Sequence, residues 1–296
     1  MKIMRFIGIV FALFSAGSPS DTSAQDSGKK YKVYMVSNSH LDTQWRWDVK
    51  ATIDDYLYNT AVQNLALLEK YPHYVFNFEG AVKYEWIKEY YPHLFERIRK
   101  FVADGRWNIS GASFEANDPN MPSSESFIRN ILLAQEFYKK EFGIKSKDMF
   151  LPDCFGFSQV MPTLGHHCGL IGFSTQKLSW RTEPLVGDSK TPFPIGLWEG
   201  VDGARIMVAL EPGRYSWNEF PEGDLSANEE LAESARKSPF GIAYRYYGNK
   251  LANGAGDHGG SALPRSIQLL EEGITNGKGP VQLVSATSSQ LYEAVS

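Results

Sequence analysis

From Tyr31 onward, short runs of β-branched and aromatic residues alternate with longer stretches whose apolar positions recur at helical spacing. That alternation predicts an α/β fold, a parallel sheet wrapped by helices. Tyr31 to Ser37 reads as the first strand. A helix is expected over Thr52 to Lys70, with Tyr56, Ala61, Leu65 and Leu68 on one face, ending before Tyr71-Pro72 because a residue preceding proline avoids helical backbone. Tyr74 to Phe78 reads as a strand, Val82 to Val102 as helix interrupted at Pro92, and Trp107 to Ser110 as a third strand. Ser124 is the expected N-cap of a helix reaching Phe142. Further strands are expected at Asp148 to Leu151, around Phe173, at Ile206 to Leu210 and at Val281 to Val284, with a helix over Ser261 to Gly273. Pro192-Phe193-Pro194 and Glu211 to Asp224 read as loops, and no linker divides the chain.

Composition narrows this picture only slightly. The 296 residues suffice for one large domain, and the hydrophobic and charged fractions of 43% and 22% are those of a globular protein. A formal charge of −4 without a basic stripe argues against a nucleic-acid surface. Residues 1–24 read as an export signal: Lys2 and Arg5 precede an apolar run from Phe6 to Phe14, which is too short for a membrane span of roughly 20 residues. A bacterial periplasmic or secreted protein is therefore expected, with residues 25–296 as the folded domain. In that compartment Cys154 and Cys168 have the option of pairing, though nothing in their placement requires it. The chain stops inside the helix-like segment Gln290 to Val295, which suggests a fragment of something longer.

The chemistry concentrates at strand ends. His40 and Asp42 lie two apart just beyond the first strand, so extended backbone sends both side chains to one face. An imidazole and a carboxylate so placed suit Zn²⁺, and they equally suit a hydrogen-bonded surface pair. Asp153 follows another strand, and side chains at the carboxyl ends of parallel strands converge on one mouth. Trp45 fits either a core position or a stacking platform for a sugar. Asp257 and His258 sit in the Gly-rich run Gly254 to Gly260, which is either a plain turn or a close approach to a ligand. Glu115 and Asp118 fit both substrate contact and capping, while His166-His167 fit a helix end. Metalloprotease, structural-zinc, phosphate-loop and serine-hydrolase signatures are all missing from the sequence.

Several blocks carry a family resemblance. Val36 to Trp45 (Val-Ser-Asn-Ser-His-Leu-Asp-Thr-Gln-Trp), Leu151 to Ser158 (Leu-Pro-Asp-Cys-Phe-Gly-Phe-Ser), Thr175 to Trp180, Leu197 to Gly203 and Gly254 to Gly260 resemble, in order, the blocks of glycoside hydrolase family 38, the zinc-dependent retaining α-mannosidases. The resemblance covers about Lys32 to Gly260. It implies a (β/α) barrel of about seven strands, of the glycoside hydrolase and deacetylase type. It implies that His40, Asp42 and Asp153 bind zinc and that Asp153 is also the nucleophile. Trp45 and Phe155 would line a sugar subsite, with Lys177 as a cationic neighbour. Retention needs a second carboxyl about 5 to 5.5 Å from the first, and Asp257 is the expected acid/base. His258 is left as a zinc ligand, a substrate donor or a bystander.

The sequence also departs from the family. A further zinc-binding histidine, from a His-Asp block downstream of the acid/base segment, is not in this chain, so zinc is expected to bind weakly unless water or His258 substitutes. The expected activity is hydrolysis of terminal α-mannosides in glycans. A metal-dependent carbohydrate deacetylase and a non-catalytic sugar-binding remnant are the rival readings.

Overall fold

The computed structural model describes residues 28, 30–179, 191–249 and 257–295. The expected leader at 1–24, Trp180 and Gly254 to Gly256 lie outside the described residues. Nine strands are described: β1 (Tyr31–Asn38), β2 (Phe76–Glu79), β3 (Trp107–Ser110), β4 (Asp148–Phe150), β5 (Gly172–Ser174), β6 (Ile195–Glu199), β7 (Arg205–Ala209), β8 (Ile242–Gly248) and β9 (Val281–Ser285). They form two sheets, one of order β3-β2-β1-β8 with β9 also on β1, the other of order β4-β5-β7-β6. Every pairing is parallel except β6 with β7.

The architecture is α/β with parallel sheets, as the alternation predicts, but it has two strands more than expected, β6 and β8. Among the described residues the strands do not join into one closed ring. Two backbone contacts bridge the sheets: the amide of Ala112 donates to Asp148 at 2.9 Å beside β3 and β4, and the amide of Tyr246 in β8 donates to Pro212, just after β7, at 2.8 Å.

β1 organises the molecule because it is buried on both faces. Alternation sends Val33 and Met35 into the large apolar layer under the helices, and Tyr34 and Val36 into a second cluster with Phe150, Tyr244, Tyr246 and Tyr292. On one edge β1 meets β8 along its length; on the other it meets β9 through Tyr31 to Met35 and β2 through Ser37 and Asn38.

The helix expected over Thr52 to Lys70 begins earlier, at Val49. It runs as Val49–Ala51, a π-helical segment Thr52–Leu57 and then Tyr58–Lys70, with Asp48 capping the amide of Ala51 at 2.8 Å. Pro92 divides the next pair, Ala81–Tyr90 and Pro92–Ala103, as expected. The helix Ser124–Phe142 is capped by Ser123 rather than Ser124, since the Ser123 hydroxyl accepts from the amide of Ser126 at 3.2 Å. No helix among the described residues is long and apolar enough to cross a membrane.

One buried acid in this framework has a measurable consequence. Asp148, at the start of β4, is 1% exposed, and burial lifts its carboxyl from 3.8 to about 6 despite contacts with Ser288, Gly111 and Ser146. A raised folded-state value means that its contribution to stability is full below 3.8 and is lost as pH rises through about 6. Asp148→Asn should therefore stabilise the protein at pH 7.5, by an upper limit on the order of 3 kcal/mol, and by much less at pH 4. Urea unfolding at both pH values checks this; an equal effect at the two would show that the buried carboxyl carries no such penalty.

Candidate active site

Five strand ends deliver the site. His40 and Asp42 follow β1, Glu79 ends β2, Asp153 follows β4, Lys177 follows β5, and Asp257 lies beyond β8. As extended geometry requires, the imidazole and carboxylate of the first pair meet: His40 Nε2 lies 3.1 Å from Asp42 Oδ1. The same nitrogen is 3.8 Å from Asp153 Oδ2, and His40 Nδ1 is 3.1 Å from Glu79 Oε1.

The segment carrying Asp257 is laced to the segment carrying His40. The amide of Asp42 donates to the backbone carbonyl of Asp257 at 3.0 Å, Leu41 and His258 form an antiparallel bridge, and the amide of Gly259 donates to the backbone carbonyl of His40 at 2.9 Å. Gly259 is required there. Its φ is +74°, and an added Cβ would lie 2.3 Å from the Thr60 hydroxyl on the neighbouring helix. Asp257 adopts φ +72°, a left-handed backbone that aspartate tolerates better than most residues. This lacing puts ligand atoms of His40, Asp42 and Asp257 within 4.8 Å of one another, a group that can hold a metal ion.

The electrostatics of the group call for positive charge. His40 is 4% exposed, and burial alone would keep it neutral; Asp42, Glu79 and Asp153 outweigh that and raise it to about 10. An imidazolium thus answers carboxylates that a divalent cation would satisfy equally. Burial raises Asp153, while His40 and Lys177 pull it back; Lys177 Nζ ion-pairs with Asp153 Oδ1. Burial would also raise Glu79, yet Lys83 and His40 bring it down to about 2.

Three of these residues carry no motif. Glu79 and Lys83 are almost fully buried behind His40. Tyr215 packs edge-on against the His40 ring at 5.6 Å and donates its hydroxyl to Asp257 Oδ1. It is held by Gln176, which accepts from its amide at 2.8 Å, and by Asn38, which donates to its carbonyl at 3.2 Å. Glu79 was findable, as an acid at the end of a strand like the others. Tyr215 lies in a loop with no periodicity to mark it.

The remaining expected residues fall around this centre. Trp45 and Phe155 are 55% and 62% exposed, so neither is core. Lys177 Nζ lies 4.4 Å from the centre of the Phe155 ring. His258 stacks on Trp47 at 4.2 Å with Tyr56 edge-on at 4.9 Å, outside the group of possible ligands. Asp118 caps the amides of Asn120 and Met121, and Glu115 accepts from the amide of Ala116. His167 pairs with Asp202 at 2.8 Å near the end of its helix. Cys154 and Cys168 are free thiols.

Comparison with known proteins bears on the family and the fold. Residues 30–296 match the glycosyl hydrolases family 38 N-terminal domain. Alpha-mannosidase 2C1 of Homo sapiens is 31% identical over 90% of the chain and 24% of its own length; alpha-mannosidase G of Dictyostelium discoideum is 37% identical over 64% of the chain and 17% of its own length. The chain thus spans about a quarter or less of these curated relatives. An alpha-mannosidase structure from Enterococcus faecalis V583 superposes with a TM-score of 0.72 at 23% identity, covering 90% of the chain and 29% of that protein, which shows a shared fold. The curated relatives, including the mouse and Saccharomyces cerevisiae proteins, are eukaryotic, and this overturns the expectation of a bacterial periplasmic or secreted protein. That expectation rested on the composition of one short segment, which has no bearing on the folded domain.

Proposed function

The chain belongs to glycosyl hydrolases family 38, and from that premise we propose that it is the catalytic α/β domain of a retaining α-mannosidase acting on mannose-containing glycans. We read its two sheets as an open (β/α) barrel, supported by the contacts that bridge their edges. The observation that carries the functional reading is the convergence of His40, Asp42, Asp153 and Asp257 from three separate strand ends. Family membership favours this over a deacetylase.

A divalent cation fits the donor set, which offers one imidazole nitrogen and several carboxylate oxygens in a part-buried, electron-rich group. His40 and Asp42 of that group would hold it together with Asp153, whose Oδ2 lies 3.8 Å from His40 Nε2, leaving Asp257 as the acid/base. Zinc, when bound, would supply positive charge beside Asp153 and coordinate sugar hydroxyls. Asp153 attacks the anomeric carbon as the bond to the leaving oxygen breaks, and Asp257 gives its proton to that oxygen. Water then attacks the same carbon, Asp257 takes the water's proton, and the bond to Asp153 breaks. Tyr215, by donating to one oxygen of Asp257, leaves the other to carry the exchanged proton. Trp45 and Phe155 present exposed rings for a sugar face, with Lys177 positioned between Phe155 and the nucleophile.

Proton NMR of an aryl α-mannoside during hydrolysis tests the whole reading. α-Mannose is expected as the first-formed product, and activity should fall on chelation and return with zinc. β-Mannose as the first product would end the retaining assignment. Acetate release from an acetylated glycan without mannoside cleavage would replace the reading with a deacetylase, and mannose binding without turnover would leave a sugar-binding domain.

A further inference from the structure

Behind the site lies a buried charged pair for which hydrolysis itself has no use. Glu79 is 1% exposed and Lys83 is 0% exposed, one turn apart where β2 passes into the helix Ala81–Tyr90. Taking two such charges out of water costs several kcal/mol each before their attraction is counted, so stability alone is a weak reason for them. Their contacts suggest another. Glu79 Oε1 lies 3.4 Å from Lys83 Nζ and 3.1 Å from His40 Nδ1. An ammonium can only donate, so this oxygen is an acceptor on that side, and the matching role for His40 Nδ1 is donor. That leaves Nε2, the nitrogen paired with Asp42 at 3.1 Å and facing Asp153, as the atom that can ligate a cation once a cation replaces its proton. The backbone makes room for the arrangement: Gly80 has φ +87°, and a Cβ there would sit 3.2 Å from Lys83 Nζ.

We infer that Glu79, anchored by Lys83, is a positioning residue that fixes the ring orientation and tautomer of His40 so that Nε2 is presented as a metal ligand. The inference rests on the metal-dependent reading above and adds to it a partner on the far side of the imidazole. Carboxylates in this relation to a ligating histidine commonly alter metal affinity by about 10- to 100-fold.

The test compares zinc affinity, by competition with a chromophoric chelator, in the full chain, in Glu79→Gln and in the double variant Glu79→Gln/Lys83→Met. Both variants should bind zinc about 10- to 100-fold more weakly. Nitrogen-15 spectra of the zinc-loaded chain should show one Nδ1–H tautomer for His40, and the variants should lose it. The double variant leaves no lone buried ammonium, so a melting temperature near that of the parent with zinc still weakened separates positioning from folding. Zinc affinity restored in the double variant, or unchanged in both, would overturn the positioning role while leaving the metal site standing. A parent chain that takes up no zinc at all is a different result, and it would sink both readings.

Discussion

Replacing Asp153 with asparagine should lower kcat for an aryl α-mannoside by at least about 1,000-fold, equivalent to about 4 kcal/mol of lost transition-state stabilisation. The amide matches the carboxylate in size and still hydrogen-bonds, so packing beside His40 and Lys177 should survive. It cannot form the covalent bond to the anomeric carbon, and it carries no charge to oppose the developing oxocarbenium ion. Asp153 also lies 3.8 Å from His40 Nε2, so the loss could equally reflect a damaged metal site. Azide added to Asp153→Ala separates the two roles. A small anion entering the vacated space yields a mannosyl azide if a nucleophile was removed, whereas an anion that only refilled a metal position would restore turnover without that product. Undiminished turnover in Asp153→Asn would eliminate this residue as the nucleophile.

His40→Ala is expected to weaken zinc binding by more than about 100-fold and to abolish turnover at any accessible zinc concentration. The substitution removes the single nitrogen donor from the group and leaves Asp42 and Asp257 facing each other across an emptied space. It also strips Glu79 of one of its two partners, a loss of about 1 to 3 kcal/mol. Metal content after dialysis, read beside circular dichroism, distinguishes loss of the site from loss of the fold. A folded variant retaining stoichiometric zinc would show that the cation, if bound, sits elsewhere.

The sequence was most readable where one physical rule acts alone. Helical spacing marks Tyr58–Lys70, and a buried apolar run marks β1, because in each case a single periodic face must be covered. β8 escaped this reasoning: Arg245 interrupts three tyrosines, and their hydroxyls disguise side chains that are almost wholly buried. β6 is an edge strand with alternating exposure, entered through two prolines that read as loop. The helix cap was misplaced by one residue because Ser123 and Ser124 are locally equivalent, and only the amide of Ser126 chooses between them. In the site, His40, Asp42, Asp153 and Asp257 announce themselves through strand ends and motif blocks. Tyr215 matters through a contact across space, and no spacing rule connects it to Asp257, whereas Lys83 follows Glu79 at helical spacing and only its burial behind His40 gives that spacing meaning. His258 shows the limit from the other side, since an imidazole beside a proposed acid proves to be stacked on an indole.

The central position of β1 has a kinetic corollary. Lys32 pairs with Ile242 and Tyr31 with Val281, so β1 finds these partners only after the strands and helices that lie between them in the sequence have emerged. Until then a ribbon with an apolar centre, Val33 to Val36, and open edges waits beside half-built helices, the kind of species that aggregates or recruits chaperones. Contacts so distant along the chain also make folding slow. Recovery of soluble protein should therefore depend on temperature and translation speed more steeply than its final stability would suggest.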